Sequence, residues 1–201
     1  MTHYAMVIDL NTCVGCNACM AACAMENQTP VWSNRWRTYV HDKEIGTGDS
    51  VHRRFFPRLC NHCDNPPCVR ACPTKATFKR KDGIVAMDYH RCIGCRFCMA
   101  ACPYGMRSFN WRDPRPFINR ETYNKEFPTR MRGVVEKCNF CVERQAKGLQ
   151  PACVDACGNT GAMVFGDLND SHSEIRKVLK ENFTIQRKPA LGTDPSVFYI
   201  I

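Results

Sequence analysis

The sequence predicts an α+β fold of two interleaved modules, each holding a pair of metal clusters, with long loop inserts. Three observations carry this. All sixteen cysteines fall into four groups of four, with none left over. Every group opens on C-x₂-C and closes on C-x₃-C. Two groups nearly repeat, CVGCNACMAACA at 13–24 and CIGCRFCMAACP at 92–103.

The groups are Cys13, Cys16, Cys19 and Cys23; Cys60, Cys63, Cys68 and Cys72; Cys92, Cys95, Cys98 and Cys102; and Cys138, Cys141, Cys153 and Cys157. A [4Fe–4S] cube offers four iron corners, each wanting one thiolate. Three cysteines spaced by two residues wrap one loop around three corners. The fourth, three residues on, points away and ligates the other cluster of a pair. The run C-x₂-C-x₂-C-x₃-C-P is therefore the signature of bacterial two-cluster ferredoxins. Group three matches it throughout, and group one lacks only the final proline. Group two has four residues between its second and third cysteines, and group four has eleven. Alone, group four would also serve zinc, which needs only two cysteine pairs. Beside three cluster-type groups, a zinc site would break the exchange of fourth cysteines. Disulfide frameworks seldom give every group the same opening and closing.

Distance and punctuation predict the pairing. Only nineteen residues separate Cys72 from Cys92, the compact layout of one module. Pro73 and Pro103 follow the last cysteines of groups two and three, where proline presses the preceding residue towards an extended backbone. Groups one and four carry Ala24 and Gly158 instead. The inner module is then 60–103, and the outer one 1–24 plus 138–170. Residues 25–59 and 104–137 are inserts, and 171–201 form a C-terminal helix and tail. Four [4Fe–4S] clusters follow as an expectation. Cluster A has Cys13, Cys16, Cys19 and Cys157, and cluster B has Cys23, Cys138, Cys141 and Cys153. Cluster C has Cys60, Cys63, Cys68 and Cys102, and cluster D has Cys72, Cys92, Cys95 and Cys98.

Local signals place the remaining elements. Tyr4–Asp9 alternates weakly and is compatible with a strand. Asp82–Gly83, a strong turn dipeptide between apolar runs, predicts a hairpin over 76–88. The two MAAC segments are expected to form single helical turns. Ser171-x-x-Glu174 fits a capping box, followed by a helix with Ile175, Val178 and Leu179 on one face that ends near Asn182. Trp32 and Trp36 in one insert, and Trp111 in the other, are expected as core or interface filler. Gly15 and Gly94 suit either a tight turn or a close approach to a cluster. His62 and His90 lie beside ligands; with four cysteines per cluster, hydrogen bonding is the expected role, through His62. Lys137 either favours the Cys138 thiolate or is simply solvated.

Composition narrows the function. Cysteine is about 8% of the 201 residues, in the range where it organises a fold. The formal charge of +9 first suggests an anionic partner. Each oxidised cluster with its thiolates carries about −2, however, so four bring the holoprotein to about +1. Nucleic acid is therefore not expected as a partner. No stretch reaches the 18 apolar residues of a membrane span. The N-terminus lacks signal-peptide features and an adjacent arginine pair, the first being Arg53–Arg54. With every cysteine used as a ligand, and no Gly-rich phosphate loop or zincin motif, the chemistry is that of an electron conduit rather than a catalyst.

The four-group layout, with CNHCDNPPCVRACPT at 60–74 and CIGCRFCMAACPYG at 92–105, resembles the four-cluster ferredoxin subunits of membrane-bound oxidoreductases. These include the B subunits of dimethyl sulfoxide, polysulfide and thiosulfate reductases. The segments 102–117, 127–141, 165–170 and 187–201 are most similar to the O-subunit family of DsrMKJOP complexes. The resemblance implies a peripheral position on the membrane, on its extracytoplasmic face, with the cytoplasmic face as the alternative. It implies docking on an NrfD-like integral membrane subunit that exchanges electrons with quinol. The further partners it implies are a heterodisulfide-reductase-like subunit and a multihaem cytochrome, or a molybdopterin subunit in the reductase alternative.

Overall fold

The computed structural model describes residues 1–29, 36–117 and 130–201. Trp32 and parts of both inserts lie outside the described residues.

The expected strand is β1, Tyr4–Asp9. It lies in a four-stranded sheet ordered β8-β1-β10-β9, with β8 at Met163–Asp167, β9 at Thr184–Gln186 and β10 at Val197–Ile200. β1 runs antiparallel to β8 and parallel to β10, with Met6 opposite both Phe165 and Val197. Strand periodicity divides β1 between two cores. Ala5 and Val7 face helix α6, Glu174–Glu181, where Ile175 is buried against them and Val178 and Leu179 pack alongside. Met6 and Ile8 face the cysteine side with Phe165, Val197, Tyr199, Cys19 and Cys138.

The segment 171–201 is thus more than a helix and tail, because β10 takes an inner place in the sheet. Helix α6 ends at Asn182 as expected, but its N-cap is Ser173, not Ser171. Ser173 Oγ donates to the carbonyls of Asp167 and Asp170, so no capping box forms.

The first insert holds a hairpin that the sequence did not announce, β2 (Thr38–Ile45) with β3 (His52–Leu59), in register from Thr38↔Leu59 to Ile45↔His52. Pro57 in β3 argues against a strand, but in a two-stranded ribbon its missing N–H costs no ladder bond on the open side. Near its base Leu59 is buried, while the tip is exposed. The hairpin expected around Asp82–Gly83 is β4 (Thr77–Lys79) with β5 (Val85–Met87). A short ladder, β6 (Ser108–Phe109) with β7 (Val135–Glu136), joins the two ends of the second insert.

Short helices accompany the cysteine groups: α1 (Ala18–Glu26), α2 (Pro67–Arg70), α3 (Phe97–Ala100), α4 (Val142–Gln145) and α5 (Ala152–Ala156). The two MAAC segments differ. α3 is the expected single turn, whereas α1 runs on for nine residues. Ala24 lets the helix pass through Cys23, where Asn27 N–H bonds Cys23 O; after Cys102, Pro103 begins a turn instead, with Gly105 N–H on Cys102 O.

Candidate cluster sites

Each group wraps because one or two residues accept the left-handed backbone. Gly15 (φ +70) and Asn17 (φ +60) bend group one, and Gly94 (φ +71) and Arg96 (φ +64) bend group three. Close approach restricts both glycines further. A Cβ on Gly15 would lie 2.3 Å from the Phe55 ring, and one on Gly94 would lie 2.3 Å from Gly133 O. Both therefore need glycine for the turn and for a neighbouring segment together.

Folding gathers the cysteines into four sets. Cys13, Cys16, Cys19 and Cys157 line one cavity. Cys60, Cys63, Cys68 and Cys102 line a second. Cys72, Cys92, Cys95 and Cys98 line a third. The fourth set is wholly buried: Cys23, Cys138, Cys141 and Cys153. There, Asn27 Nδ2 reaches Cys23 Sγ at 3.5 Å and Cys141 Sγ at 3.9 Å, and Cys153 feels the charges of the other three. In each set one cysteine comes from the far group of its pair.

Among the described residues, no group of three or more His, Cys, Asp or Glu could hold a single metal ion. Four cysteine sulfurs and no other ligand type in each set match the donors of a cube with one thiolate per iron corner.

Burial makes several of these thiols poor acids on their own. Burial, followed by the neighbouring thiolates, pushes Cys19 and Cys63 up to about 12. Burial and Cys141 push Cys23 up to about 11. Burial raises Cys138 and Cys153 furthest. Such thiols ionise when a metal takes the proton's place. Cys72 shifts the other way. Burial would raise it, but the N–H of Thr77, at 3.4 Å from its sulfur, and the Thr74 hydroxyl outweigh burial and lower it.

The remaining candidates settle as follows. His62 is fully buried and stacked on Phe140 at 3.7 Å; its Nδ1 accepts the Val85 N–H. Burial and the charges of Lys137 and Arg107 depress its pKa, so it stays neutral. His90 is exposed. Lys137 is not a solvated lysine: it is buried, and its Nζ donates to Val85 O and Cys138 O. Trp111 packs edge-on to Phe109 beneath Arg96 and is half exposed.

Sequence reading missed a buried polar hub in which Glu136 accepts from Arg37 Nη2 (3.0 Å), Arg130 Nε and Asn110 Nδ2. Arg37 also bonds Tyr89 OH and Asn27 Oδ1, and Arg130 bonds Asn27 O. No local motif marks it, because its members lie up to 109 residues apart, from Asn27 to Glu136.

Models of the 4Fe-4S dicluster domain match residues 51–117 and 112–168, and a second of the same description matches 12–77. Three relatives show how far the likeness extends. The chain is 43% identical to the Hdr-like menaquinol oxidoreductase iron-sulfur subunit 1 of Archaeoglobus fulgidus, over 98% of this chain and 82% of that protein. It is 45% identical to the B subunit of tetrathionate reductase from Salmonella typhimurium, over 98% of this chain and 72% of that protein. It is 37% identical to the B subunit of polysulfide reductase from Wolinella succinogenes, over 98% and 93% respectively. With the model matches spanning most of the chain, and four cysteines for each of four [4Fe–4S] clusters, this protein belongs to the 4Fe-4S dicluster family, the electron-transfer iron–sulfur subunits of oxidoreductase complexes.

Proposed function

We propose that the chain relays single electrons in file through clusters A, B, C and D, held by the cysteine sets described above. It would connect an NrfD-type quinone-reactive membrane subunit with further redox subunits of a DsrMKJOP-like complex in sulfur or sulfite metabolism. The observation that carries this is the order of the sets. Cys153 of set B feels Cys19 of set A, Cys138 of set B feels Cys60 of set C, and Cys98 of set D feels Cys68 of set C. At the two ends, Cys16 of set A and Cys95 of set D are the exposed cysteines, so the file opens to the surface at both termini.

Iron–sulfur clusters accept and release one electron at a time. The protein's part is to hold them close, dry and in sequence. Burial of every cysteine of the middle sets except the half-buried Cys102 keeps water from those sulfurs, while the loops Cys13–Gly15–Cys16 and Cys92–Gly94–Cys95 present the end sets to partners. Val14 and Ile93 at the loop tips are largely exposed, as is Phe97, apolar surface suited to a close contact. Among the described residues no helix is long and apolar enough to cross a membrane, so contact with quinol would fall to a separate subunit.

The menaquinol oxidoreductase relative supports this reading. On this reading the protein sits peripherally on the extracytoplasmic face, next to a heterodisulfide-reductase-like subunit and a multihaem cytochrome. The tetrathionate and polysulfide reductase relatives favour a second reading, in which the protein accompanies a molybdopterin subunit. Anaerobic affinity purification from detergent-solubilised membranes tests both. A co-purifying multi-span subunit, with menaquinol analogue reducing the clusters, is expected. Molybdenum in the complex selects the second reading. A protein recovered alone, and not reduced by quinol, defeats both.

A further inference from the structure

A buried cation ordinarily sits against a carboxylate, because an unpaired buried charge is costly. Arg37 and Arg130 follow that rule with Glu136. Among the described residues, Lys137 and Arg107, at 2% and 8% exposure, pair with no carboxylate. There Lys137 Nζ bonds two carbonyls, those of Val85 and Cys138 (2.7 Å to Cys138). Arg107 Nη1 bonds Thr77 Oγ1 at 3.1 Å and Met87 sulfur at 3.7 Å. Its Nη2 finds no oxygen or nitrogen acceptor, and the guanidinium lies instead against the Cys68 thiol.

Their positions are specific. Val85 lines the cavity of set C and Cys138 belongs to set B, so Lys137 bridges the B–C junction. Arg107 lines the cavity of set C, and its partners Thr77 and Met87 line that of set D, so it bridges the C–D junction. The thiols Cys60 and Cys68 of set C lie within reach of both charges.

We infer that Lys137 and Arg107 set the potentials of the inner relay, making cluster C, flanked by both, the highest-potential cluster. Reduction adds one electron, and so one negative charge, to a cluster while its four thiolates stay bound. A buried cation stabilises that added charge in a medium that screens it weakly. Cluster C thereby becomes the resting place of an electron that enters from either end. Among the described residues no carboxylate pairs with either side chain, and on this reading the reduced cluster supplies the compensating charge. The inference rests on the ligand sets proposed above.

The test is EPR-monitored potentiometric titration of the holoprotein carrying K137Q, K137R, R107Q or R107K, with iron content measured on each sample. In K137Q, two of the four reduction steps should fall by at least tenfold in reduced-to-oxidised ratio, about 59 mV for one electron. R107Q should lower two steps, one of them shared with K137Q, and the shared step should be the highest in the unmodified protein. The charge-keeping variants should leave all steps within half that shift. Unchanged steps at full iron content, or a uniform shift of all four, would overturn the inference. So would loss of iron from both variants of either cation, which would give that cation a folding role. Failure of the ligand sets would show separately, as a cysteine-to-serine change that removes the wrong resonance while both cations are present.

Discussion

Glu136 offers a quantitative test of how the inserts are tied to the modules. Its carboxylate is 1% exposed and holds Arg37 and Arg130, themselves buried, with Asn110 as a further donor. Glu136→Gln keeps the shape and removes the charge, so the two guanidiniums lose the buried carboxylate they share. Breaking a buried pair from one side costs about 3–5 kcal/mol. That is roughly two to four decades in the unfolding equilibrium, at about 1.4 kcal/mol per decade. Arg37→Gln should cost less, since Glu136 keeps Arg130. The assay is anaerobic urea denaturation followed by cluster absorbance, with rates compared where refolding fails. Burial would raise the Glu136 carboxyl, but Arg37 and Arg130 outweigh it and hold it low. Its contribution is therefore full above the unfolded value of about 4.3 and lost as pH falls through the depressed folded value. The difference between the unmodified protein and Glu136→Gln should shrink only in that acid range. A loss below about 1 kcal/mol, as for an exposed pair, would refute the reasoning.

Gly94→Ala meets both a left-handed φ and Gly133 O at 2.3 Å, and should cost about 1–3 kcal/mol with faster cluster loss in air. Gly105→Ala, with φ +67 but open space around it, should cost about 1 kcal/mol, and equal costs would remove the close approach from the account. Cys72→Ser should alter the resonance of the cluster held by Cys92, Cys95 and Cys98; loss of the group-two cluster alone would contradict the exchanged pairing.

The four cysteine groups were legible in the sequence because cluster ligation is written in local spacing, and the short span from Cys72 to Cys92 is the ground for proposing the inner module. The β4–β5 hairpin and the apolar face of α6 were likewise local signals. The β2–β3 hairpin was not, since Pro57 and a run of charged residues hide its alternation. The inner place of β10 was hidden too: its pairing with β1 spans nearly the whole chain. The proline rule proved partly local. The two sites without proline differ from each other, because Cys23 sits within a helix and Cys157 precedes a turn in which its carbonyl receives Thr160 and Gly161 N–H. Lys137 was visible as a residue but not as a buried charge, and Arg107 carried no signal, because burial depends on which segments close over it.

The central claim, four clusters on sixteen cysteines, is tested most directly by iron and acid-labile sulfide analysis of anaerobically purified protein together with its visible absorption. The account predicts about sixteen iron and sixteen sulfide per chain, four of each per cluster, with a broad iron–sulfur absorption bleached by reductant. Zinc bound without such absorption, or about eight irons at full loading, would contradict it.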